Sequence, residues 1–184
     1  MHEFYTVSEN DISELKELTV FQTNEDSLFK ADNLFSQEDV KNKIDEFYPS
    51  GISNHGKQYL ENRYHFVYDN RNSPFASYMP LIEMTFELVR QIKFKDKPSR
   101  FESFYACETY EEALEYRKDK RNLESKIYKV STESFFKADM NLLKAPTIIG
   151  SVILAEKYWN GESSENPFWE ILMKSPVKIL HEVK

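Results

Sequence analysis

Phe101-Glu102-Ser103-Phe104-Tyr105-Ala106-Cys107, running directly into Glu108-Thr109-Tyr110-Glu111-Glu112, is the stretch on which the fold reading turns. Its first half is aromatic with small and polar residues between, as in a strand. Its second half is a capping box, Thr109 three residues ahead of Glu112, which opens a helix over 110–121. On such a strand Phe101, Ser103 and Tyr105 share one face, and Phe104 and Ala106 take the other, core-facing one.

Outward from this step the same two kinds of element recur. Residues 3–8, Glu-Phe-Tyr-Thr-Val-Ser, predict a short strand, and 20–35 give little signal and read as a loop. Ser36-Gln37-Glu38-Asp39 is a capping box with Asp in the Glu position, ahead of a helix burying Val40, Ile44 and Phe47 and stopped at Pro49-Ser50-Gly51. A helix or extended segment covers 56–68. Pro80 at a first turn, then Leu81, Met84, Leu88, Val89 and Ile92 at helical spacing, predict a helix over 80–93. Residues 126–132 alternate as a half-buried strand. The spacing of Ile149, Val152, Ile153 and Trp159 predicts a helix over 147–159, capped by Gly161. Strands at 168–173 and 176–181, joined by Lys174-Ser175, predict a tight hairpin. Helices and strands mix without regular alternation, so the class is α+β, a single domain over 1–184 with a largely antiparallel sheet.

Composition narrows the function classes. The chain has 184 residues, a net charge of −7 and only 4 glycines, which excludes the glycine-rich nucleotide loops. One cysteine, Cys107, forms no internal disulfide, and no leader or apolar run of membrane-spanning length is present, so a cytoplasmic, membrane-free protein is expected. His2, His55, His65 and His181 are scattered without metal-site spacing. Residues 1–50 hold 12 acidic and 4 basic side chains, whereas 90–130 hold 11 basic against 8 acidic, which reads either as a solvated helix face or as a local basic patch.

Three side chains stand out as candidate chemistry. Glu170 sits between Trp169 and Ile171 in an apolar strand, where a carboxylate either faces outward on a sheet edge or faces a site. Tyr105 is either core packing or an aromatic wall. Arg100, in Pro98-Ser99-Arg100, either pairs with an acidic neighbour on the surface or clamps a phosphate through its planar fork. Cys107 lies beside Glu108 without a nearby histidine, so it is not expected to act as a nucleophile.

The order of these features resembles the ADP-ribosyltransferase fold of diphtheria-toxin and poly(ADP-ribose)-polymerase type. Phe4-Tyr5-Thr6-Val7-Ser8 is similar to that family's first-strand Tyr-His-x-Thr motif, with Thr6 in the histidine position. Ser103-Phe104-Tyr105-Ala106-Cys107-Glu108, followed by Ala113 and Tyr116, resembles its central strand and helix. Phe168-Trp169-Glu170-Ile171-Leu172-Met173, leading to Pro176-Val177, resembles its late glutamate strand, and the stretch from Phe86 to Trp159 also resembles an uncharacterised bacterial group near this fold.

The resemblance implies a split, largely antiparallel sheet flanked by helices, which binds NAD as substrate, breaks its nicotinamide–ribose bond and transfers ADP-ribose to RNA, DNA or protein. It implies Glu170 as the catalytic carboxylate, Tyr105 stacked on nicotinamide, Thr6 and Ser8 hydrogen-bonding the amide or ribose, Ser103 beside them, and Arg100 on the diphosphate. An intracellular toxin of a toxin–antitoxin or phage-defence system, with a neutralising protein partner, is the matching biological expectation. A catalytically silent protein-binding module of the same fold, and an NAD-using RNA 2′-phosphate-removing enzyme, are the rival readings.

Overall fold

The computed structural model describes residues 1–24, 28, 34–61, 79–120 and 123–183. Among the described residues seven strands form two antiparallel sheets. The first, in the order β1-β4-β7-β2, joins β1 (His2–Ser8), β4 (Lys126–Thr132), β7 (Val177–Val183) and the two-residue β2 (Glu17–Leu18). The second, in the order β3-β6-β5, joins β3 (Phe104–Ala106), β6 (Trp169–Met173) and β5 (Phe135–Asp139). They meet where Tyr5 and Cys107 exchange both backbone hydrogen bonds, at 3.0 and 2.8 Å. The α+β class with antiparallel sheets and flanking helices is therefore what the chain adopts.

Two expectations about the strands are corrected. The strand expected over 101–107 is only Phe104–Ala106, because Arg100–Glu102 is a 3-10 turn capped by Ser99. The hairpin expected from β6 to β7 is absent. Lys174-Ser175-Pro176 instead carries the chain from one sheet to the other, with a cis bond before Pro176.

Helix ends follow their caps. α1 (Gln37–Phe47) starts from the complete Ser36/Asp39 capping box, and α2 (Asn54–Leu60) from Ser53. α3 (Met79–Lys93) and α4 (Tyr110–Lys120) follow, and α5 (Ile148–Asn160) ends on Gly161 at φ 76°, a left-handed turn that suits a residue without Cβ. The 62–68 part of the segment expected at 56–68, and position 121, lie outside the described residues.

Helix faces follow the apolar spacing only in part: Ile44, Val89 and Trp159 are buried as expected, and other members of the same stripes are not. On α3 the buried side chains are Ile82, Glu83, Phe86, Glu87 and Val89, while Met84, Leu88 and Ile92 face outward. On α5 Ser151, Ala155, Tyr158 and Trp159 are buried, and Ile149 and Ile153 are exposed. Phe47 on α1 is likewise exposed. The small Ser151 and Ala155 let α5 pack closely on α3, and the Trp159 indole N–H donates to the Phe86 carbonyl at 2.8 Å. Fully buried Phe86, Tyr158 and Trp159 each contribute about 2 to 3 kcal/mol through burial.

Strand parity then positions the chemistry. Ile171 and Met173 pack toward the first sheet with Phe4, Tyr128 and Val130, so Leu172 and Glu170 point to the opposite face, toward α3 and α5. An acidic side chain is thus carried into the larger core.

Candidate functional site

Glu170 lies on the central strand of its sheet, paired with Ala138, and is only 5% exposed. It does not point outward on an edge. Its Oε1 accepts from Arg100 Nη1 at 2.5 Å and from the Tyr158 hydroxyl at 2.6 Å. Isolated ions at this depth are costly, so the partners decide the arrangement.

Arg100 is the hub. Its Nε and Nη2 donate to the two oxygens of Glu83 on α3 at 2.9 and 3.0 Å, and Nη1 reaches Tyr158 at 2.6 Å as well as Glu170. The guanidinium also lies over the rings of Tyr105 and Tyr158, 5.1 and 5.5 Å from their centroids. Burial opposes the Arg100 charge, but Glu170 and Glu83 outweigh it and hold the group cationic. Burial likewise opposes ionisation of Glu83, yet Arg100 and His55 bring its carboxyl down to about 2. The phenols of Tyr105 and Tyr158 stay protonated, pushed up by burial despite the nearby guanidinium.

A cavity of about 290 Å³ opens beside this cluster at the seam of the two sheets, walled by Tyr5, His55, Tyr105, Trp169, Arg100 and Glu170. Thus Glu170, Tyr105 and Arg100 converge. The other expected residues are engaged elsewhere. Thr6 is buried and donates to the Tyr105 carbonyl at 2.8 Å, tying β1 to β3, while its neighbours Tyr5 and Val7 face the cavity. Ser8 donates to the Asn10 carbonyl, and Ser103 to the Ser99 carbonyl, away from the cavity wall. Arg100 is not an open anion clamp, because its guanidinium is satisfied by two carboxylates and a phenol.

A family model described as protein of unknown function (DUF2441) matches residues 4–184. The chain belongs to this family. None of the curated proteins matches the chain.

In DUF2441 three members of the cluster beside the cavity escaped the sequence reading: His55 and Glu83, which line it, and fully buried Tyr158 behind them. The usable signal was Glu83 with Glu87, two acids one turn apart inside an apolar helix, since each finds an arginine, buried Arg100 for Glu83 and half-buried Arg90 for Glu87. His55 carried no signal of its own, because a lone histidine after a capping serine is ordinary. Its place comes from Ser53, whose N–H and hydroxyl both donate to the Phe101 carbonyl, at 2.8 and 3.0 Å.

Cys107 also borders the cavity, but burial pushes its thiol up to about 12, leaving it a poor nucleophile. Among the described residues no group of three or more His, Cys, Asp or Glu side chains is disposed to hold a metal ion, and no helix is long and apolar enough to cross a membrane. A second, larger cavity of about 690 Å³ lies between α1, α2 and α3, bordered by the outward faces of Phe47, Met84 and Leu88. Its wall is almost wholly apolar, and the polar chemistry is concentrated in the smaller cavity.

Proposed function

We propose that this DUF2441 chain is an NAD-dependent mono-ADP-ribosyltransferase acting on a macromolecule. The observation that carries the reading is a buried carboxylate, Glu170, on the wall of an aromatic-lined cavity at the junction of two antiparallel sheets. Breaking the nicotinamide–ribose bond builds positive charge on the ribose, and a preorganised carboxylate in a water-poor site stabilises that charge as it forms. Nicotinamide in NAD is flat and cationic, which suits the faces of Tyr5, Tyr105 and Trp169. A cavity of about 290 Å³ is at the small end for ligand sites, so it takes the nicotinamide–ribose half and leaves the adenylate along the surface. In this reading Arg100 and Tyr158 orient Glu170 rather than grip the diphosphate.

A second reading has one specific observation in its favour. Glu170 already holds Arg100 and Tyr158 through Oε1, an arrangement that also suits a fold kept for protein binding without catalysis.

Purified protein incubated with adenylate-labelled NAD and cell extract, then split between nuclease and protease treatment, separates the two readings. Transfer of label, lost at least about 100-fold in Glu170→Gln, is the expected result. Wild-type protein that neither cleaves NAD nor transfers label leaves the silent module standing, and full activity in Glu170→Gln rejects the carboxylate's role.

A further inference from the structure

Across the cavity from Glu170 stands a second acid-linked group that the proposed reaction has not yet used. His55, the second residue of α2, presents its ring to the cavity, tilted against Tyr105 and Tyr59 with centroids 4.9 Å away in both cases. Its Nε2 lies 3.2 Å from Oε1 of the fully buried Glu83, a charge contact without hydrogen-bond alignment, and has no hydrogen-bond partner among the described residues. The negative charge beside Nε2 favours the tautomer with the proton on that nitrogen. The lone pair is then on Nδ1, the nitrogen free to take a proton.

Resting on the transferase reading, we infer that His55 is the proton acceptor of the reaction, held in register by Glu83. The step balances as follows. A lone pair on the acceptor oxygen or nitrogen forms the new bond to the anomeric carbon. The carbon–nitrogen bond to nicotinamide breaks, and its electron pair neutralises the ring nitrogen. The acceptor's proton passes to Nδ1 of His55, and the imidazolium later releases it to solvent. Imidazole is the side chain whose ordinary titration spans neutral pH, the property a proton acceptor needs.

Two carboxylates, Glu83 and Glu170, share the single guanidinium of Arg100, and the His55 ring is the further basic group beside Glu83. Among the described residues, the charged and titratable groups that share the cavity with the ring are Glu83 from α3, Arg100, Tyr105 and Cys107 from the middle of the chain, Tyr5 from β1, Tyr116 from α4, Glu170 from β6, and Tyr59 on α2 itself. Lys57, also on α2, is directed to Glu61 at 3.6 Å. The ring has little freedom to leave, because Gly56 sits where an added Cβ would stand 2.3 Å from the Phe101 carbonyl oxygen.

The test compares wild type, His55→Gln and His55→Ala in labelled-NAD transfer across pH, with NAD binding measured in parallel and circular dichroism confirming the fold. Expected is NAD binding within about threefold of wild type, a transfer rate down by about 100-fold or more, and loss of the acid limb of the pH–rate profile in both variants. Added imidazole restores transfer in His55→Ala, which a purely structural role for the ring would not allow. Wild-type turnover matched by His55→Gln, or an unchanged acid limb, overturns the proton-acceptor role and leaves the transferase reading intact. Wild type that turns over no NAD overturns both.

Discussion

Replacing Arg100 by Met probes the centre of the site without changing the shape of the side chain greatly. Arg100 is 3% exposed and Glu83 is 1% exposed, so the pair is not screened by solvent. The move of Glu83 from its ordinary 4.5 to about 2 corresponds to about 3 kcal/mol of stabilisation. Removing one member of a buried pair typically costs about 3 to 5 kcal/mol, because the other charge is left without its partner. For a chain of this size a loss of that order lowers the melting temperature by roughly 10 °C. The pH dependence carries the sharper signature. In wild type the folded value of Glu83 lies below the unfolded one, so its contribution is fully present above about 4.5 and disappears as pH falls through about 2. Without Arg100, burial raises the folded value above the unfolded one, so the variant gains stability as pH falls. Urea unfolding followed by the fluorescence of Trp159 and Trp169 should therefore show a large gap between the proteins near neutral pH that narrows toward about pH 3. A gap under about 1 kcal/mol at neutral pH, or one that stays constant on acidification, refutes the ionic-cluster account.

Gly56→Ala drives a methyl group into the Phe101 carbonyl and should cost about 1 to 3 kcal/mol, read as a lower melting temperature. Asp139 is fully buried and accepts from the Ser164 N–H and hydroxyl and from the N–H groups of Asn141 and Phe168. Asp139→Ala should thus cost about 3 kcal/mol or more and speed amide exchange at Ser164 and Phe168, just ahead of the Glu170 strand. Cys107, its thiol raised to about 12 by burial, should stay unalkylated by iodoacetamide in the native protein near pH 8 and react only after unfolding.

What the sequence made legible was local and self-contained. Ser36 with Asp39, Thr109 with Glu112, and Gly161 after Asn160 mark helix ends through contacts within a few residues, and the helices begin and end there. What it hid depended on distant partners. Met84, Leu88 and Ile92 have the spacing of an inward stripe, yet Glu83 and Glu87 point inward, because Arg100 and Ser99 reach them from beyond the helix and Arg90 pairs with Glu87 from the next turn of α3 itself. The α5 stripe misled for a related reason, since close approach to α3 required Ser151 and Ala155 rather than isoleucines. The apolar strands 168–173 and 176–181 gave no sign that they belong to different sheets. At the site, Glu170 was visible as a charge out of place in an apolar run, and Tyr105 and Arg100 through their surroundings. Thr6, Ser8 and Ser103 looked equally suitable, but their hydroxyls are bonded to backbone carbonyls, which residue type alone does not reveal.

The cavity draws Tyr5 from the first strand, His55 from a helix, Arg100 and Tyr105 from the middle of the chain, and Glu170 from the last turn of the path. During translation, a ribosome that has not yet released β6 carries a chain with one wall of this chamber missing, and β4 still lacks its partner β7. A chain made only as far as β5 therefore has no complete cavity, and any chemistry the protein performs waits for β6 and β7.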